Sequence, residues 1–175
     1  HRGVEKSLEG LSAAQAIFRV ERTCGACSAS NALSFSQAVE SLSPSEIPVR
    51  ALYLRVLTAE LERLYNHIGD AGNICAGVGF AVGTSQGARQ KEMLMRFNEE
   101  LTGNRFLRGM IVPGGVAFDM AGDMIRQASS LINALEQDFN ELVEIMKESS
   151  GLQDRLRRTG ILPRQVAAEL AIVGP

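Results

Sequence analysis

The segment Cys24-Gly25-Ala26-Cys27 carries the chemistry of this sequence. Placed three apart near a helix start, two sulfurs can point the same way. Free amide N–H groups and the helix dipole at such a place favour thiolate, the form that binds metal or attacks a disulfide. Arg22 nearby would add to that. Three readings are open: two small buried apolar residues, a thioredoxin-like redox pair, or half of a metal site. The redox pair calls for a preceding strand in a βαβ context, which the sequence does not offer. A closed metal site needs about four ligands. The other candidates are Cys75, His1, His67 and carboxylates, so the pair would need ligands from elsewhere.

The remaining chemical residues have plainer readings. Cys75, with apolar neighbours after a helix end, reads as a buried structural thiol. His67 reads as a capping or hydrogen-bonding residue near the end of its helix. Phe35 and Met93, Met95, Met120 and Met124 read as packing. Gly77 to Gly83 has the spacing G-x-G-x-x-x-G, one residue longer than a dinucleotide fingerprint and without its strand. A mobile or partner-wrapping loop is the better account there.

The elements that must position the thiols are helices. Ser12 can cap a short helix through Glu21, and a second runs from near Cys24 to Leu42. Ser43-Pro44-Ser45-Glu46-Ile47-Pro48 breaks the chain. From Val49 to Ile68, Leu54, Leu57, Leu61, Leu64 and Ile68 recur at steps of three and four and share a face. Arg55, Thr58, Glu62 and Asn66 fall on another. Gly69 and Gly72 are expected to end this helix, with a glycine-rich loop over 72–87. A helix follows from about Ser85 to Leu101, stopped by Thr102-Gly103-Asn104. Arg105 to Val112 is either a short strand or irregular, and Pro113-Gly114-Gly115 is a turn. A long helix over Asp119–Glu148 carries a seam of Ala128, Ile132, Leu135, Phe139, Leu142 and Met146, ended by Gly151. One turn over 152–158 and a short helix after Pro163 complete the chain. The fold class is mainly α, a bundle of about five or six helices with at most a short strand pair, and residues 1–175 read as one domain.

Composition narrows the partners. The chain has 175 residues, 45% of them hydrophobic, enough for a sizeable core. Eighteen Lys and Arg against 20 Asp and Glu leave a formal charge of -2. That balance, without a long basic run, argues against nucleic acid and against charge-driven membrane binding. Three cysteines suit free thiols in a reducing compartment better than a disulfide framework. The uncharged stretch Ala71–Ala88 is too rich in glycine and polar residues for a membrane helix. A start at His1 without Met suggests a piece of something longer.

Several stretches taken together resemble one family. They are His1-Arg2-Gly3-Val4-Glu5-Lys6, Glu21-Arg22-Thr23-Cys24-Gly25-Ala26-Cys27, Ala38-Val39-Glu40, Pro48-Val49-Arg50-Ala51, Leu61-Glu62-Arg63-Leu64-Tyr65-Asn66-His67, Leu101-Thr102-Gly103 and Pro113-Gly114-Gly115-Val116. The sequence is similar to the large, catalytic subunit of membrane-bound nickel–iron hydrogenases of the hydrogenase-4 and formate hydrogenlyase type. That group has a homologous subunit in complex I, the NADH:quinone oxidoreductase. The fold expected is therefore part of that large-subunit fold.

The resemblance implies specific roles. Cys24 would be a terminal nickel ligand and Cys27 a thiolate bridging nickel and iron, both soft donors suited to these metals. Arg22 is the Arg of the motif and would support the ligands. Glu5 matches an acidic residue that helps hold a magnesium ion in some members. The family's second motif, Asp-Pro-Cys-x-x-Cys, is absent from these 175 residues, so the chain by itself is expected to lack the metal centre and be inactive. Asn31 stands where hydrogenases often have His. Phe35 falls near the quinone-pocket Tyr of the homologous complex I protein and lacks its hydroxyl. With both cysteines present, this favours the hydrogenase branch. The function implied is hydrogen or proton chemistry at a nickel–iron site, with electrons passing to iron–sulfur clusters of a small partner subunit. The implied setting is a complex with membrane subunits, peripheral on the cytoplasmic face, and the isolated piece is also expected to self-associate. The alternative is a metal-free scaffold or quinone-pocket subunit of an NADH:quinone oxidoreductase-like complex.

Overall fold

The computed structural model describes residues 3–42 and 46–172, which leaves His1, Arg2, the Ser43-Pro44-Ser45 part of the break and residues 173–175 outside the described residues. In chain order the helices are α1 (Val4–Leu8), α2 (Ala13–Val20), α3 (Ser28–Leu42), α4 (Val49–Gly77) and α5 (Ala81–Thr102). A two-stranded antiparallel hairpin follows, β1 (Ile111–Val112) and β2 (Gly115–Val116), with Ile111 opposite Val116. Then come α6 (Gly122–Glu148), α7 (Ser150–Leu156) and α8 (Arg164–Glu169). The mainly α class holds. Eight helices rather than five or six stand among the described residues, the excess being the short α1, α7 and α8.

Ser12 begins α2 as expected: Gln15 Oε1 accepts from the Ser12 N–H at 3.2 Å. Gly103, at φ +71°, ends α5 in the left-handed conformation that a glycine adopts without steric cost. Pro113-Gly114 turns the hairpin. Arg105 to Met110 is irregular and only Ile111–Val112 is strand. The seam of α6 is inward, with Ala128, Leu135 and Leu142 buried and the alternate residues half-buried. The helix begins at Gly122 rather than Asp119. It stops at Glu148, and Gly151 lies inside α7, whose start is capped by the Ser149 hydroxyl accepting from the Leu152 N–H at 3.4 Å.

One expectation is corrected. Gly69 and Gly72 do not end α4, which continues to Gly77, and 72–87 is not a loop. A tight turn at 78–80, with the Phe80 N–H donating to the Cys75 carbonyl at 2.8 Å, leads straight into α5. The reason is packing. A Cβ on Gly87 would come within 2.8 Å of the Gly72 Cα, and one on Gly83 within 2.4 Å of the Cys75 sulfur. The glycines let two long helices cross at backbone contact, and that gain outweighs their poor helix propensity. The polar side of α4 is buried as well. Arg55, Thr58 and Glu62 are as buried as Leu54 and Leu61, so the helix is covered on two sides. Its polar strip faces α3, the hairpin and the loop before α3 rather than water. The face of α3 turned inward is built of Ser28, Ala29, Ala32 and Ser36, small enough for close approach.

Gly87→Ala should therefore destabilise the fold by about 1–3 kcal/mol, the range for overpacking. Gly77→Ala, whose Cβ meets nothing within 4 Å, is the matched control and should be neutral or slightly stabilising. Denaturant midpoints of the two variants decide it. Equal midpoints would mean the crossing relaxes freely.

Candidate functional site

The two thiols sit in the turn between α2 and α3, not on a helix. α3 begins at Ser28, one residue after Cys27, because Gly25 and the turns closed by Arg22 and Thr23 N–H groups onto Arg19 and Val20 interrupt the helix. Cys24 and Cys27 are half-buried and neighbour each other, whereas Cys75 is buried at the α4–α5 crossing. That agrees with Cys75 as a structural thiol.

Helix α4 holds this loop by three residues within about one turn, Glu62, Tyr65 and Asn66. The Ala26 carbonyl accepts from Tyr65 Oη and from Asn66 Nδ2, both at 2.8 Å. Glu62 accepts from the N–H groups of Ala29 at 2.6 Å and Ser30 at 2.8 Å, and from the Ser30 hydroxyl at 2.5 Å. Within the loop, the Cys24 sulfur accepts from the Ala26 N–H at 3.5 Å. Asn31 Nδ2 donates to the Cys27 carbonyl at 2.8 Å and to its sulfur at 3.5 Å. From the other side, Arg108 Nε donates to Ser28 Oγ at 3.2 Å, and the Gly109 N–H donates to Glu21 Oε1 at 2.6 Å. Arg108 lies over the Phe106 ring, which packs edge-on against Tyr65, while Lys91 lies over the Tyr65 ring.

The two sulfurs are not equivalent. The adjacent Cys27 side chain is the main influence on Cys24 and lowers its pKa, helped by the Ala26 N–H. Cys27 is pushed up to about 11, first by burial and then by the hydrogen bond and charge of Cys24. Of the two, Cys24 is therefore the more acidic and Cys27 the one that holds its proton more tightly. The expected preference for thiolate holds in direction at Cys24 but not at Cys27, where burial is the first cause of the rise and the Glu62 carboxylate adds a smaller one. Burial likewise raises Glu21 and Tyr65 above their ordinary values.

Because the thiolate is the nucleophile, alkylation of the metal-free protein at neutral pH should label Cys24 well before Cys27. Cys27 should follow only as the pH climbs toward about 11. Site-resolved mass spectrometry over a pH series reads this directly, and labelling of Cys27 first would reverse the assignment.

The other anticipated residues lie on or next to α1, α2 and α4. Arg22 is exposed, and its guanidinium donates to the Phe18 carbonyl at the end of α2. Glu5 is exposed in the first turn of α1. His67 lies well inside α4, not at its end, on an apolar groove of about 520 Å³ shared with Ile132, Leu135 and Phe139 of α6. Glu62, Tyr65, Asn66, Arg108 and Glu21 were not anticipated as site residues. Glu62, Tyr65 and Asn66 belong to the stretch Leu61–His67 that carries the resemblance, so a signal existed. Sorting α4 into one apolar and one polar face hid it.

Two neighbouring soft thiols fit half of the sphere of a thiolate-bound metal. Among the described residues no group of three or more His, Cys, Asp and Glu could complete it. The donor set thus suits a metal whose remaining ligands come from outside these residues.

Comparison with known proteins divides the chain near the end of α4. Residues 2–69 match the model of the nickel-dependent hydrogenases, and residues 78–175, more than half of the chain, match that of the respiratory-chain NADH dehydrogenase 49 kDa subunit. Hydrogenase-4 component G of Escherichia coli (strain K12) is 33% identical over 176 residues, covering all of this chain and 32% of that protein. A subunit of the NADH-quinone oxidoreductase of Rickettsia canadensis (strain McKiel) is 30% identical over 175 residues, covering all of this chain and 45% of that protein. The chain thus spans less than half of the length of these curated relatives. A chain in the solved structure of the membrane-bound sulfane sulfur reductase, an archaeal respiratory membrane complex, superposes with a TM-score of 0.92 at 27% identity, over 100% of this chain and 47% of that one.

Proposed function

We propose, from the premise that the chain belongs to the family of the respiratory-chain NADH dehydrogenase 49 kDa subunit and carries the nickel-dependent hydrogenase pattern in its first 69 residues, that it is the thiolate-bearing part of the catalytic subunit of a hydrogenase-4-like oxidoreductase. The observation that carries this reading is the convergence of Cys24 and Cys27 on one loop, anchored by three residues of α4. Cys24 and Cys27 would hold the nickel–iron centre as soft thiolate donors. When bound, such a centre supplies the Lewis acidity that polarises dihydrogen.

The residues of this chain supply the rest. Glu62, Tyr65 and Asn66 fix the loop that carries both sulfurs. Asn31 orients the Cys27 sulfur through its amide N–H. Arg22 belongs to the motif and, with its guanidinium on the Phe18 carbonyl at the end of α2, would support the loop that carries the sulfurs. Glu5, exposed in α1, would hold magnesium only together with ligands from outside the described residues. Iron–sulfur clusters of a partner subunit would take the electrons, in an assembly peripheral to the cytoplasmic face of a membrane. No helix among the described residues is long and apolar enough to cross one.

A second reading keeps the pair as free thiols. It is favoured by the unequal basicity of Cys24 and Cys27, which suits attack by one sulfur and resolution by the other. The dithiol would reduce a sulfur–sulfur bond and become a disulfide, and iron–sulfur partners would return the two electrons. Metal analysis of the full-length protein from its native host separates the readings. Stoichiometric nickel with hydrogen–dye activity supports the first. An intact complex without nickel, with a reversible Cys24–Cys27 disulfide, supports the second.

A further inference from the structure

Cys27 occupies the position immediately before α3, and its carbonyl accepts the first helical bond, from the Asn31 N–H at 3.1 Å. A residue at that position ordinarily turns its side chain back to accept from the N–H groups two and three residues on. Here those are Ala29 and Ser30, and both are taken by a residue from another helix. Glu62 of α4, only 2% exposed, gives one carboxylate oxygen to the Ala29 N–H and the other to the N–H and hydroxyl of Ser30. The cap of α3 is supplied across the fold.

We infer that Glu62 is a positioning residue for the Cys27 sulfur: by capping α3 from α4 it relieves that sulfur of capping its own helix and leaves it directed at Cys24. A serine, aspartate or asparagine at position 27 would satisfy the same N–H groups from within the chain but could not be a soft donor. A cysteine there is a poor cap, and without a substitute two amide donors at the start of a half-buried helix would go unmet or would draw the sulfur back. Glu62 resolves the conflict between ending a helix properly and presenting a sulfur. Tyr65 and Asn66, one turn further along α4, restrain Ala26 on the other side of the same residue. Cys27 is thereby gripped through its backbone on both sides, while its sulfur meets the Asn31 amide and the Cys24 side chain.

The inference rests on the reading of Cys24 and Cys27 as a working pair, and its test does not depend on nickel. The probe is phenylarsine oxide, a trivalent arsenical that is held only by two thiols facing one point. Full-length protein, prepared from a nickel-starved host, should bind one equivalent. In Glu62→Ala the affinity should fall roughly tenfold, the scale of a lost helix cap, and amide exchange at Ala29 and Ser30 should quicken by a similar factor. Glu62→Gln keeps one acceptor oxygen and should lie between. It also guards against misfolding of the alanine variant, because it preserves the volume of the buried side chain. A role confined to fold stability would lower the melting temperature without changing arsenical affinity in the folded protein. That outcome, or unchanged exchange at Ala29 and Ser30 in both variants, overturns the inference. If the nickel-replete wild type contains no nickel, the hydrogenase reading fails, while arsenical binding and exchange still judge Glu62.

Discussion

Cys24→Ser in the full-length protein should abolish hydrogen–dye activity and stoichiometric nickel while leaving the helices folded. The Cys24 side chain is half-buried in a turn and contacts the Ala26 N–H and Cys27, so serine fits there without opening a cavity in the core. What changes is the donor. A serine hydroxyl stays protonated at neutral pH and is a hard ligand, whereas nickel and iron in such sites call for soft thiolates. Asn31→Ala, which removes a hydrogen bond to the Cys27 sulfur but no ligand, should cost about 10–100-fold in metal affinity or activity, the usual effect of a supporting residue. Circular dichroism establishes that each variant is folded, and metal content with dye reduction gives the effect. Hydrogen activity retained in Cys24→Ser would remove that sulfur from the site. A thiol-redox function would instead show loss of sulfur–sulfur reduction with no nickel in the wild type to lose.

The thiol pair was readable because cysteine spacing is a local property, and so was the long helix of α6, whose seam is a periodic one. What could not be read locally was which polar residues face inward. Glu62 and Arg55 lie on α4 among residues that a helical wheel assigns to solvent. They become buried because groups brought in by the tertiary fold meet them there. Glu62 meets Ala29 and Ser30 of α3, and Arg55 meets Glu40 of α3 and the carbonyls of Val112 and Gly115 in the hairpin. The glycines misled for a related reason. Gly69 and Gly72 read as stop signals when only their own helix is considered. Gly87 opposite Gly72, and Gly83 opposite Cys75, turn the same stretch into a packing surface. The expectation of a sulfur pair on a helix failed at one residue, since Gly25 within the motif favours a turn and delays α3 until Ser28.

Arg55→Met should be the most destabilising single change on the polar side of α4, at about 3–5 kcal/mol. Arg55 is 3% exposed and makes a two-pronged pair with Glu40, at 3.0 and 2.5 Å, while donating to the carbonyls of Gly115 at 2.9 Å and Val112 at 2.8 Å. One guanidinium thus joins α3, α4 and both strands of the hairpin. Methionine has nearly the same reach but no donor, so it strands a largely buried carboxylate and two carbonyl oxygens. The double variant Arg55→Met, Glu40→Leu removes both charges and should recover part of the loss, though not all, because Glu40 also accepts from the Gly114 N–H at 2.8 Å. The pair has an acid signature too. Arg55 holds the Glu40 carboxyl below the usual carboxylate range, with help from Gly114. A group depressed in the folded state stabilises above its unfolded pKa, and that stability is lost as the pH falls through the folded value. Wild-type stability should therefore decline on acidification below the ordinary carboxylate range, and Arg55→Met should lack that slope. Glu21 runs the other way: burial raises its pKa, so its contribution is greatest when protonated and fades as the pH rises through its elevated folded value. The two slopes fall on opposite sides of the ordinary carboxylate value, so melting temperatures across an acid series in wild type and Arg55→Met isolate the Glu40 part. An acid slope that persists in Arg55→Met would show that other carboxylates carry it.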